Sequence, residues 1–233
     1  MEPHRELGPE ALSYKPDEKD GLYAYFKKSL EFTKRFYGEE VKRISRVNFS
    51  EVTPEFVFKE YVWVVHATGF SAKAVGKFMP RLLEAYGEWD VLGREEFDYA
   101  FNRILKVCNN RQKSKAIHEF SGMLVRNKDS WESFLNSSMS SPEKLSKLPY
   151  IGKITCYHLG RNIGLLECVK PDLHLERLAR YWGVSSCLEM CEQAQSEHMK
   201  ETGIRIPLGL VDLMYWYGSS HFGTLHLKEE GRR

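Results

Sequence analysis

The chain has 233 residues with 34 Lys and Arg against 32 Asp and Glu, a formal net charge of +2, so composition alone gives no broad polyelectrolyte attraction and argues against nucleic acid as a partner. Apolar residues make up 42% and charged residues 28%, which excludes a collagen-like or disordered chain and leaves room for one large core or two smaller lobes. The longest run without Asp, Glu, Lys or Arg, Leu213 to Leu227, falls short of the ~18 residues that would suggest a membrane span. No basic start followed by an apolar stretch marks a secretory leader. The five cysteines, an odd number scattered from Cys108 to Cys191, suit free thiols in a reducing compartment. A cytoplasmic protein without membrane contact is expected.

In chain order, residues 1–20 hold three prolines and many charges with no apolar period, and read as a loose arm. Leu22, Tyr25, Phe26, Leu30, Phe32, Phe36 and Tyr37 then follow a helical stripe up to Gly38, a stop signal. Thr53-Pro54 reads as an N-cap followed by proline at the first helical position. It opens a run through Phe56, Val57, Tyr61, Val64 and Val65 that is apolar nearly all round, as a central helix is. After a break at Thr68-Gly69-Phe70-Ser71, an amphipathic run from Val75 to Tyr86 ends at Gly87. Further helical patterns cover Phe97 to Val107, Ser114 to Arg126, Ser130 to Asn136 and Pro142 to Leu148. The C-terminal third adds Leu173 to Tyr181, Ser185 to Glu201, and Pro207 to Tyr217 ending at Gly218. No alternating strand or Asn-Gly or Asp-Gly hairpin signal occurs. The expected fold is therefore all-α, with about ten helices of ordinary length. The two chain ends are expected to pair, so that residues 21–52 plus 165–233 form one lobe and 53–164 an inserted helical domain.

The stretch Leu148-Pro149-Tyr150-Ile151-Gly152-Lys153-Ile154-Thr155 predicts a helix ending at Leu148, a tight Pro-x-x-Gly turn and a second helix from Lys153. Such a turn aims backbone N–H groups and the positive end of a helix at one external point, where a phosphate fits; an ordinary connection between two helices fits the same turn chemistry. Downstream, Pro171-Asp172-Leu173-His174-Leu175 places an Asp immediately before a helix. A local reading makes that Asp an N-cap.

These two motifs, in this order and at this separation, resemble the helix-hairpin-helix (HhH-GPD) DNA glycosylases, the superfamily of endonuclease III, MutY and the alkylbase glycosylases. The family hairpin reads Leu-Pro-Gly-Val-Gly-x-x-Thr-Ala, matched here at Leu148, Pro149, Gly152 and Thr155; Asp172 occupies the place of the family's catalytic Asp. Lys113-Ser114-Lys115-Ala116 is similar to the Asn-Ser-Lys-Ala that follows the family's DNA-wedging loop. The resemblance covers roughly residues 22 to 218 and implies two helical lobes with a DNA cleft between them, a helix-hairpin-helix at about 141–164, and a monomer acting on double-stranded DNA. It implies phosphate binding by Pro149, Tyr150, Ile151, Gly152, Lys153 and Thr155. Asp172 would stabilise the positive charge that develops on the sugar as the base leaves, or orient water toward the anomeric carbon.

Three departures shape the expectation. Tyr150 stands where the family's first hairpin Gly allows positive φ. Ile154 occupies the position of the sugar-attacking Lys of bifunctional members, and Lys153, one place earlier, is turned by a helical step of about 100°, so a monofunctional enzyme is implied. Cys187 and Cys191 cannot supply the four closely spaced cysteines of an iron–sulfur cluster; no cluster and no required cofactor are expected, although the family allows a monovalent cation held by hairpin carbonyls. To act on a base the enzyme must flip it out and fill the gap. Asn109-Asn110-Arg111-Gln112 offers Arg111 or Gln112 as the wedge, and Phe70 is an aromatic alternative. His66 and Tyr157 are candidates for the base pocket. Basic residues cluster near the wedge (Arg103, Lys106, Arg111, Lys113, Lys115) and near the hairpin (Lys144, Lys147, Lys153, Arg161), each able to neutralise a phosphate; the placement of charge thus reverses the inference from its total. The segment Tyr157 to Gly164 followed by Lys170-Pro171-Asp172 looks similar to a divergent branch associated with hypermodified phage pyrimidines, which suggests excision of such a base, for example glucosylated hydroxymethylcytosine. The alternatives are a transferase that modifies a hydroxymethyl-pyrimidine and a noncatalytic DNA-binding module.

Overall fold

The computed structural model describes residues 20–70 and 72–222. The expected N-terminal arm up to residue 19, Ser71 and the residues from 223 onward lie outside the described residues. Among those described there are twelve α-helices, two 3-10 turns and no strand, an all-α protein. No described helix is long and apolar enough to cross a membrane.

The chain divides into two compact units, one spanning Val47–Leu165 and the other built from the segments up to Arg46 and from Leu166 onward. In the first unit, α2 (Pro54–Ala67) is central, packed with α3 (Ala72–Tyr86), α6 (Arg111–Arg126) and α9 (Thr155–Asn162); α4 (Trp89–Leu92), α5 (Phe97–Ile104), α7 (Trp131–Ser138) and α8 (Pro142–Leu145) complete it. Helix α2 starts where Thr53 Oγ1 accepts from Phe56 N at 3.2 Å with Pro54 behind it, a cap that contributes about 1 kcal/mol. Its residues from Tyr61 to Val65 are all buried, which explains the lack of a polar face. Tyr61 stacks on Phe120 of α6 at 3.9 Å between ring centroids. The unit begins at Val47 because Gly164, at φ 100°, lies against the 47–49 backbone: a Cβ there would sit 2.7 Å from Phe49 N. Only glycine combines that conformation with that approach.

In the second unit, α1 (Leu22–Ser45) packs chiefly on α12 (Leu208–Phe222), with α10 (Leu173–Tyr181) and α11 (Cys187–Thr202) against them. Tyr25 and Phe26 of α1 meet Tyr215 of α12 with centroids 6.0 and 5.4 Å apart. Cys187 and Cys191 are buried thiols of this core.

Several boundaries differ from the sequence expectation. Helix α1 passes through Gly38, with a kink at Tyr37 (φ −129°). Tyr37 stacks on Tyr217 at 3.9 Å and hydrogen-bonds His221 Nε2 at 2.8 Å, and this packing outweighs the ~1 kcal/mol cost of an internal glycine. Helix α12 likewise continues past Gly218. Helix α6 starts at Arg111, not Ser114, because Asn110 Oδ1 caps Lys113 N at 3.0 Å. The short α4 had no periodic signal. Helix α8 closes at Leu145 and reaches Leu148 through tighter turns, since Pro149 keeps the residue before it out of the helical region.

Candidate functional site

Asp172 is the N-cap of α10. Its Oδ1 accepts from His174 N and Leu175 N, both at 3.0 Å, and its Oδ2 lies 3.3 Å from Lys170 Nζ. The residue is 9% exposed. One oxygen is thus spent on the helix, which fixes the carboxylate's direction, while the other faces a cation. The short segment that carries it is clamped in turn. Asp212 Oδ2 of α12 accepts from Lys170 N at 3.1 Å, and Cys187 Sγ of α11 donates to Lys170 O at 3.8 Å. Asp212 and Cys187 are 1% and 2% exposed. Burial, followed by the neighbouring Glu176, Asp212 and Asp172 charges, pushes the Cys187 thiol far up, so it acts as a neutral donor.

The Leu148–Thr155 turn lies in the other unit. Ile151 N donates to Leu148 O at 3.1 Å, and Cys156 N to Gly152 O at 3.0 Å. Thr155 Oγ1 accepts from Gly152 N at 2.8 Å, so the hydroxyl closes the turn at the entry to α9. Tyr150 adopts φ 60° and is exposed, left-handed backbone that costs an L-residue about 1–2 kcal/mol. The turn therefore holds a bulky residue in a backbone conformation that glycine adopts without this cost. Gly152 has no such requirement, since a Cβ there would meet only Thr155 Oγ1, at 3.9 Å. Lys153 and Gly152 are exposed, Pro149 half-buried, Ile151 buried and Thr155 half-buried. From within the unit, Tyr61 O–H donates to Pro149 O, and Asn162 Nδ2 of α9 donates to buried Glu60 Oε2 at 2.8 Å. The carbonyls of Leu148, Pro149 and Gly152 each accept one hydrogen bond, from Ile151 N, the Tyr61 hydroxyl and Cys156 N. Among the described residues no group of three or more His, Cys, Asp or Glu side chains is arranged to hold a metal ion.

The other candidates fall differently from their sequence placement. Arg111 and Gln112 stand in the first turn of α6 rather than in a loop. The Arg111 guanidinium pairs with Asp98 at 2.5 Å and lies over the rings of Phe97 and Phe101 at 4.9 and 5.0 Å; Gln112 is exposed. Phe70 is 55% exposed. Tyr157 is half-buried against the core of its unit. His66 is 1% exposed, so it is a core residue here and not part of an open pocket. Its Nε2 is 2.9 Å from Tyr86 OH, and burial, then the Lys113 charge, lowers its pKa to about 4.

The two basic clusters are also smaller than they read. Arg103 is consumed by Glu95, at 3.0 and 3.2 Å, and by the carbonyls of Ala85 and Tyr86. Lys113 and Arg161 are buried, and Lys144 Nζ is bound to Asn136 O and Ser140 Oγ. Lys106, Lys115, Lys147 and Lys153 remain exposed. Helix-face spacing could not separate cations that lock a fold from those that meet solvent. Sequence reasoning also assigned no role to Lys170, Asp212 or the Tyr61 phenol. The available signal was a single carboxylate, Asp212, within the largely apolar run Leu208 to Tyr217, since a lone charge there must be paired.

No family model matches the chain, and comparison with curated proteins and with solved structures gives no significant match.

Proposed function

We propose that the protein is a monofunctional DNA glycosylase of helix-hairpin-helix type, hydrolysing the N-glycosidic bond of a flipped, modified base and leaving an abasic site. The observation that carries this reading is Asp172: a carboxylate with one oxygen locked by two helix N–H groups and little exposed surface, in a segment clamped from both sides by Asp212 and Cys187. A carboxylate used only as a cap needs no such clamp. A carboxylate that must meet positive charge developing at a sugar carbon gains from rigid aim, because preorganisation removes the reorganisation cost at the transition state.

In this mechanism the hairpin at Pro149–Thr155 holds a backbone phosphate through its N–H groups, with exposed Lys153 and Lys147 adding charge. The base leaves with the bonding electrons, the carboxylate stabilises the oxocarbenium-like sugar, and water adds at the anomeric carbon, its proton passing to Asp172 or to solvent. The proposed substrate is a hypermodified pyrimidine such as glucosylated hydroxymethylcytosine, which rests on the resemblance to the branch associated with such bases.

The test is incubation with DNA from a panel of modified and unmodified phages, followed by mass spectrometry of released bases. Free base together with an alkali-labile abasic site supports the proposal. A heavier base retained in the DNA would indicate a transferase, and DNA bound without either product a noncatalytic module.

A further inference from the structure

The backbone of Lys170 is tied at both its polar groups. Its N–H donates to buried Asp212 Oδ2 at 3.1 Å, and its carbonyl accepts from Asp172 N at 2.8 Å and from Cys187 Sγ at 3.8 Å. Pro171 further restricts the conformation of the residue before it. From this anchor the side chain runs to Asp172, with Nζ 3.3 Å from Oδ2 and side-chain exposures of 22% and 12%. Leu173 and His174, next in the chain, are exposed, so the pair stands at the surface edge of its unit. Among the described residues Asp172 is the ion-pair partner of this ammonium. An ammonium carries three N–H donors, so it can meet a ligand without leaving the carboxylate. Asp172 does not need the lysine in order to be held, because Oδ1 already accepts two helix N–H groups. Nor does a bare counter-ion suit the proposed chemistry, since a cation beside the carboxylate weakens its field at a positive sugar. The cation has a use if a second, opposite charge develops in the same step. When the C1′–N1 bond of a pyrimidine nucleotide breaks, the electron pair goes to the departing ring and spreads to O2, beside the carbon that turns positive. A carboxylate and an ammonium 3.3 Å apart present the opposite polarity to both ends, oriented in advance.

We propose that Lys170 is a catalytic residue for the leaving group, its ammonium donating a hydrogen bond to O2 of a departing pyrimidine while Asp172 faces the sugar. The inference rests on the proposed glycosylase reading and narrows its substrate to uncharged pyrimidines that leave as anions. The bonding pair passes from C1′–N1 to the ring, where the ammonium stabilises it. Water adds at C1′, and its proton reaches the released base through solvent, so Lys170 and Asp172 end as they began. A base that is already cationic, such as a 7-alkylpurine, departs neutral; the ammonium gives it no assistance and repels it before the bond breaks.

The experiment measures single-turnover base release from duplexes of one sequence that carry glucosylated hydroxymethylcytosine, hydroxymethyluracil, 5-fluorouracil or 7-methylguanine. The parent is expected to release pyrimidine and to leave 7-methylguanine in place. Lys170→Met should slow release by about 100-fold with duplex affinity, read by anisotropy, within about twofold of the parent. The loss should be about tenfold smaller for 5-fluorouracil than for hydroxymethyluracil, because fluorine itself stabilises the ring anion; a lysine that only positioned Asp172 would slow both alike. Lys170→Arg keeps the charge and should recover part of the rate. Where the glucosylated base alone is released, the difference between the Met and Arg variants decides. Far-UV circular dichroism checks folding, and the parent's choice of pyrimidine over 7-methylguanine keeps the test decisive if Lys170→Met does not fold. Undiminished release by Lys170→Met, equal slowing of the two uracils, equal loss in the Met and Arg variants, or preferential release of 7-methylguanine overturns the leaving-group role while the glycosylase reading stands. Release of no base from these duplexes or from phage DNA overturns both.

Discussion

Lys170 Nζ lies 3.3 Å from Asp172 Oδ2, while Asp172 Oδ1 is occupied by the N–H groups of His174 and Leu175. The two oxygens therefore have separable duties, one to the fold and one to charge. Asp172→Asn keeps an N-cap oxygen and should leave thermal stability within about 1 kcal/mol of the parent. It should also lower base release by at least ~100-fold with DNA affinity nearly intact. Asp172→Ala should lose the same activity and in addition about 1–2 kcal/mol of stability. Paired melts and single-turnover release assays check both, and undiminished release by the Asn variant would falsify the role of the carboxylate.

The hairpin offers a second separation of fold from binding. At Gly152 an added Cβ finds only Thr155 Oγ1 at 3.9 Å, so Gly152→Ala should change stability by no more than about 0.5 kcal/mol. It should weaken duplex binding by about tenfold, because the methyl group blocks close approach of a phosphate to the backbone. Tyr150 has the opposite profile. Its φ of 60° makes Tyr150→Gly stabilising by up to about 1 kcal/mol, strain relief partly offset by the entropy of glycine. Denaturant titrations and anisotropy on the two variants test the pair; a large destabilisation by Gly152→Ala would show that the glycine serves the fold.

How much of this was legible in the sequence depended on whether the cause was local. Thr53 caps α2 through its own next few residues and reads as a cap from the sequence, and the apolar period shows the long helices; Asn110 and Ser186 cap by the same local contact without standing out, since neither is followed by a proline at the first helical position. Asp172 stood out because a cap is a local signal. Gly38 misled because Tyr37 packs on Tyr217 and His221 from a distant part of the chain. Arg111 read as a loop residue until Asn110 proved to be the cap. Asp212 and Tyr61 reach Lys170 N and Pro149 O only through tertiary packing, and no spacing rule connects such pairs.

His66 makes stability depend on pH in a defined window. Burial, with the Lys113 charge, lowers its folded pKa to about 4 from an ordinary 6.5. Stability from this residue is therefore complete above about pH 6.5, where it is neutral in both states. As pH falls toward 4 the unfolded chain takes up a proton that the folded one refuses, and up to about 3 kcal/mol is lost. His66→Gln lacks this titration, so its unfolding free energy should fall less steeply than the parent's between pH 6.5 and 4. Equal slopes in urea denaturation across that range would sink the prediction.

Under the proposed glycosylase reading, the Lys170–Asp172 pair also bears on whether strand cleavage would follow base loss. An amine becomes linked to the sugar when its lone pair attacks C1′, either displacing the base before ring opening gives the imine or condensing with the opened abasic aldehyde with loss of water. Lys170 Nζ is held against Asp172 Oδ2, and under the proposed reading the position of the sugar-attacking lysine is taken by Ile154, which is exposed. Borohydride should therefore trap no covalent adduct on abasic DNA, and the product strand should remain intact until treated with alkali. If an adduct forms in the parent and disappears in Lys170→Met, Lys170 attacks the sugar and the enzyme is bifunctional. If Lys170→Met keeps base release, without adduct in either protein, Lys170 serves the electrostatics of Asp172 alone.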